Sequence, residues 1–117
     1  MMNTKINYLY RDGSNYKQFN YAIVAGEFKE EDLRYIESVM NFEFFIPEQV
    51  GLHLTRPDDD FTEDDHCWAE LDPEEDIVLT DEDPLPEGDG IITWEQLMDK
   101  FREVEKTGWN EDEYTPN

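Results

Sequence analysis

The chain has 117 residues, a mass of 14.0 kDa and a formal net charge of −22, enough for one domain with a real core but not for two. Charge of that sign excludes anionic membranes and nucleic acid backbones as ready partners, since both repel it. The chain is 38% hydrophobic and 14% aromatic, which favours a folded domain under an acidic surface over the disorder such a charge otherwise implies.

In chain order, KINYLYRDG alternates Ile6, Tyr8 and Tyr10 against Asn7, Leu9 and Arg11 and ends at Asp12-Gly13, the pattern of a β-strand closed by a turn. KQFNYAIVAG is rich in aromatic and β-branched residues, so it predicts a second strand, paired with the first as a hairpin around Asp12 to Tyr16. KEEDLRYIESVMN changes period: Leu33, Ile36, Val39 and Met40 share one helical face, with Glu30, Glu31 and Asp32 at the favourable end of the helix dipole.

FEFFIPEQVGL alternates Phe42, Phe44 and Ile46 and breaks at Pro47, which predicts a third strand. CWAELD and DIVLTDE predict two short strands with Pro73 to Asp76 as the turn between them. LPEGDGII reads as a loop. Beyond it, Thr93 and Gln96 have capping-box spacing, Trp94, Leu97, Met98, Phe101 and Val104 form an apolar stripe, and Gly108 terminates the helix. Trp109 is expected to fold back on the last turn.

The fold class that follows is α+β: a small antiparallel sheet of four to five strands with two packed helices. Residues 1–109 are expected as a single domain and 110–117 as an acidic, flexible tail. No run of about 20 apolar residues is present, and MMNTKINYLYRDG lacks the pattern of a secretory leader. A single cysteine fits a reducing cytoplasm, the expected location.

The charge is unevenly spread. Residues 1–56 hold eight acids and six Lys or Arg, a net of −2; residues 57–117 hold 23 acids and only Lys100, Arg102 and Lys106, a net of −20. The densest stretch is DDDFTEDDHCWAE, residues 58–70, which also contains the cysteine and one of the two histidines. As a calcium loop starting at Asp58 it fails, because Glu63 stands where glycine must be and Ala69 where glutamate must be. Zinc requires several Cys and His at defined spacing, whereas His66 and Cys67 are adjacent and only His53 lies elsewhere. Cys67 and His53 have no context for a nucleophile and base. A field of carboxylates is expected to raise the thiol pKa and keep it unreactive. The simpler reading makes Cys67 and Trp68 the entry of a strand into the core, with His66 bonding locally. No cofactor, metal site or catalytic residue is expected.

What remains is the acidic surface. Surface scaling gives a folded chain of this mass roughly 6,700 Å², so an acidic half showing about half of it carries one net charge per ~170 Å². A DNA duplex, taken as a cylinder of about 10 Å radius with a charge every ~1.7 Å, carries one per ~110 Å². Alternate strand positions such as Glu70 and Asp72 stand about 6.6 Å apart, close to the spacing of phosphates along a strand. Asp99 can pair with Arg102, and Glu103 with Lys100 or Lys106, but the run Asp58 to Asp65 has only Arg56 nearby.

NYLYRDGSNYK, FFIPEQVGL and TEDDHCWAELD, spread over residues 7–72, resemble segments of a family of small uncharacterised proteins of bacteria and their phages. The resemblance implies a cytoplasmic setting and a link to mobile elements, and it supplies no site residues. By composition alone, the acidic balance also resembles phage-encoded DNA mimics.

These features lead to a non-enzymatic interaction protein, a DNA-mimic-like inhibitor such as an anti-CRISPR or anti-restriction protein of a phage or plasmid. It would occupy the basic, nucleic-acid-binding surface of a nuclease or CRISPR effector without binding nucleic acid itself. The expected partner-binding residues are Asp58, Asp59, Asp60, Glu63, Asp64, Asp65, Glu70, Asp72, Glu74, Glu75, Asp76, Asp81, Glu82 and Asp83. A homodimer stays open. Two alternatives remain: a binding or immunity-type module acting through Tyr8, Tyr10, Tyr16 and Phe19, and a divalent-dependent enzyme using Asp58 to His66.

Overall fold

The computed structural model describes residues 2–56, 65–84 and 91–115. Strand β1 (Asn3–Arg11) is the centre of the sheet. Along one edge it pairs antiparallel with β2 (Lys17–Val24), in register from Thr4 opposite Val24 to Arg11 opposite Lys17. The connecting turn is built by Asp12, whose Oδ1 accepts from the backbone N–H groups of Ser14 and Tyr16. The hairpin expected from the alternation is therefore present, with Ile6, Tyr8 and Tyr10 buried.

Helix α1 (Glu30–Val39) buries Leu33 and Ile36 and is followed by the short strand β3 (Phe44–Phe45). Here the sequence pattern is misleading. Phe42 is not the start of a strand but the first residue of a two-residue turn, closed by reciprocal backbone bonds between Asn41 and Phe44 of 2.9 and 3.0 Å. Phe42 sits at φ 59° and is 85% exposed, whereas the consecutive Phe45 and Ile46 are both buried.

A 3-10 turn, Pro47–Val50, ends at Gly51, whose φ of 85° favours glycine. A Cβ on Gly51 would also overlap the Ile91 side chain. The stretch CWAELD supplies only β4 (Ala69–Glu70), and the expected turn after it is one turn of helix, α2 (Pro73–Asp76), capped by the Asp72 side chain. The chain then runs directly into β5 (Ile77–Thr80). β4 and β5 lie in tandem along the second edge of β1, with β3 outside β4, so all five strands are antiparallel.

Helix α3 (Trp94–Thr107) has the expected capping box, Gln96 N–H to Thr93 Oγ1 and Thr93 N–H to Gln96 Oε1, each 3.1 Å. All five stripe residues are buried. Asp32 ties the starts of the two long helices together: its Oδ2 accepts from Lys29 N–H at 3.1 Å and from Trp94 Nε1–H at 2.8 Å. Trp109 folds back as expected, against Phe101 and Trp68, with Nε1 donating to Val39 O. The segment read as a loose tail instead forms a short helix, α4 (Glu111–Tyr114). Asn110 N–H bonds Gln49 Oε1, and Thr115 bonds the Cys67 sulfur, so residues 110–115 are docked on the body. Among the described residues, no helix is long and apolar enough to cross a membrane.

Candidate functional site

The eight acids from Glu70 to Asp83 are Glu70 on β4, Asp72 at the cap of α2, Glu74, Glu75 and Asp76 within α2, and Asp81, Glu82 and Asp83 just beyond β5. Strand alternation puts Glu70 on the open face of the sheet, opposite Leu9, which is itself opposite Phe19. Glu70 Oε2 accepts from Arg11 Nε at 3.0 Å. Asp72 caps α2 by accepting from Glu74 N–H, and Asp76 Oδ2 in turn accepts from Asp72 N–H. Those bonds orient the two carboxylates without cancelling their charge. Glu82 lies 3.8 Å from Lys5 Nζ and accepts from Thr80 Oγ1. Glu74, Glu75, Asp81 and Asp83 are exposed. Asp58, Asp59, Asp60, Glu63 and Asp64 lie outside the described residues. The surface of the folded chain is 7077 Å², close to the scaling value.

A cleft of about 290 Å³ lies on the open face where the two halves of the chain meet. Leu9, Phe19 and Leu71 give it apolar surface; Glu43, Glu70, Asp72 and Asp76 supply carboxylates. A second cleft of about 320 Å³ shares Glu43, Leu71 and Asp72 and reaches Phe42. Phe19 is 76% exposed and Tyr16 and Tyr21 are also exposed, but Tyr8 and Tyr10 are buried. The aromatic surface envisaged from the sequence therefore loses both of its β1 members, because their face of the strand is the core face.

The His66-Cys67 pair is engaged within the fold. His66 Nδ1 accepts from Trp68 N–H at 3.1 Å and Nε2 lies 2.7 Å from Arg11 O, so both ring nitrogens are engaged with backbone. Arg56 donates to His66 O through Nε and Nη2 and stands over the Tyr10 ring. Among the described residues, no group of three His, Cys, Asp or Glu side chains is placed to hold a metal ion.

Cys67 is fully buried, and burial pushes its thiol pKa up. The cause expected from the sequence, surrounding carboxylates, is secondary: Glu111 adds to the rise, while the Thr115 hydroxyl opposes it. Alkylation at pH 8 is expected to be at least about 100-fold slower in the native chain than in urea, because it must wait for an opening of the structure. Equal rates would contradict this burial.

Tyr10 is also perturbed. Its hydroxyl donates to Asp65 Oδ1 and accepts from His66 N–H at 3.3 Å. Burial, then the Asp65 hydrogen bond, push its pKa from 10.0 to about 12. Between those two values the unfolded chain releases a proton that the native chain keeps, so this residue's contribution to stability is lost as pH rises through that window. Tyr10→Phe is expected to cost about 1–2 kcal/mol at pH 7, by removing a buried donor, and to flatten the alkaline fall of the melting temperature. An unchanged alkaline limb would show that another group governs it.

Sequence reading missed Glu43 as a member of the acidic cleft and Phe42 as lining of the second one. Glu43 belongs to the less charged half and is brought to the cleft by β3 pairing with β4, a non-local event that no local pattern announces. Comparison with protein-family models, curated proteins and solved structures finds no match.

Proposed function

We propose that this chain is a non-enzymatic interaction protein whose acidic segment occupies the basic, nucleic-acid-binding surface of a partner protein. The observation that carries this reading is the charge imbalance along Glu70 to Asp83. Among the described residues, Arg11 and Lys5 are the cations paired with that segment, at Glu70 and Glu82. The exposed Glu74, Glu75, Asp81 and Asp83 have no ion pair there. Like charges within a Debye length of about 8 Å repel and destabilise the compact state. A cation supplied by a partner relieves that repulsion, so binding and charge are coupled. Helix α3 differs: its Arg102 pairs with Glu95 and Asp99, and Lys100 with Glu103, so that surface is locally balanced.

A nuclease or CRISPR effector is the partner this reading proposes, since both present basic surfaces that hold nucleic acid. A second reading, binding through aromatics, is favoured by the exposure of Tyr16, Phe19 and Tyr21. The two differ in salt dependence. Affinity capture from a bacterial lysate, eluted along a salt gradient, is expected to yield one nuclease or DNA-binding protein in near-stoichiometric amount, released steeply as salt rises. A partner that survives high salt transfers the reading to the aromatic surface. A diffuse set of basic proteins eluting at low salt reduces the acids to a solubility device.

A further inference from the structure

We propose that the cleft between Phe19 and helix α2 is the seat of a single arginine side chain presented by the partner. The inference rests on the reading above and specifies where the basic surface is gripped. At about 290 Å³ the cleft is at the lower end of small-ligand pockets, roughly 300–1,000 Å³, so it suits one long side chain rather than a cofactor.

Its chemistry is divided. Leu9 and Leu71 offer apolar contact for a methylene stem, and Phe19 adds an exposed aromatic ring. Glu43, Glu70, Asp72 and Asp76 bring four carboxylates; Arg11 pairs with Glu70, and Asp72 and Asp76 accept backbone N–H groups at α2 but keep their charge, so the lining carries more acid than base. A hydrated metal ion gains nothing from the apolar lining. A lysine satisfies the charge, but its compact ammonium uses neither the flat ring nor paired acceptors to full effect. A guanidinium can stack on Phe19 and fork toward carboxylates at once.

The same face already makes both kinds of contact within the chain. Arg11 Nε meets Glu70 Oε2 at 3.0 Å, and Lys5 Nζ lies 4.7 Å from the Tyr21 ring centre. The partner's arginine would repeat these contacts one position along the sheet.

The test titrates isotope-labelled protein with Nα-acetyl-arginine amide and, separately, with the lysine analogue, following backbone amide signals. The expected result is saturable shifts centred on Leu9, Phe19 and Leu71, with arginine binding about threefold tighter or more. Phe19→Ser and Glu43→Gln, both at exposed positions, are expected to weaken that binding about three- to tenfold each while the melting temperature holds. Non-saturating shifts spread over Glu74 to Asp83, equal for the two probes, overturn the proposal. The two readings fail separately. A captured partner whose affinity ignores Phe19→Ser and Glu43→Gln sinks the arginine seat and leaves the acidic-surface reading intact. A saturable arginine site in a chain that captures no partner does the reverse.

Discussion

Neutralising Glu74, Glu75, Asp81 and Asp83 together, as glutamines and asparagines, is expected to slow association with the partner about tenfold or more at low salt. These four exposed acids belong to the segment whose other members are capped or paired, so they contribute most to the field a basic surface meets on approach. Electrostatic steering commonly changes association rates by about 10- to 1,000-fold, and its loss appears in the on-rate and in a shallower salt dependence. The same variant is expected to melt at a higher temperature, because it removes like-charge repulsion within the native chain. Stopped-flow or surface-based kinetics at two salt concentrations, with a thermal melt beside them, separate the two effects. An unchanged on-rate with a raised melting temperature would mean that the acids act on the fold and not on a partner.

Phe101→Ala is expected to cost about 3–5 kcal/mol, a large share of the roughly 5–15 kcal/mol available to a domain of this kind. Phe101 is almost wholly buried in the middle of α3. It stacks on Phe45 at 6.3 Å between ring centres and meets Trp109 edge-on at 6.2 Å. Those partners come from the sheet and from the chain after α3, so truncation leaves a cavity at the junction of three segments. Urea denaturation should show a lower midpoint with an unchanged slope; a loss under 1 kcal/mol would contradict the packing described. The docking of residues 110–115 should loosen in the same variant, since Trp109 holds that segment to the body.

Local patterns carried most of the fold. The Tyr8 and Tyr10 alternation, the Leu33 and Ile36 face and the Thr93–Gln96 capping box are each set by neighbours within a few residues, and each element formed where its pattern predicted. Errors came from a tight local turn hidden under an alternating pattern and from a non-local partner. Phe42 was drawn out of a strand by the Asn41–Phe44 turn. Residues 110–115 were drawn onto the body by Gln49 and Cys67, more than 40 residues away in sequence. The candidate site was half legible. The acidic run was plain from the charge count, but the cleft needs Leu9 and Phe19 from the hairpin placed beside Glu70, and only the sheet register supplies that.

The most direct test of the central claim is a competition. The captured partner is held on labelled duplex DNA, and the chain is added until the DNA is released, with the four-acid variant run in parallel. Stoichiometric release by the native chain, and much weaker release by the variant, is the expected result. A ternary complex in which DNA and chain are bound together would contradict occupation of the nucleic-acid-binding surface.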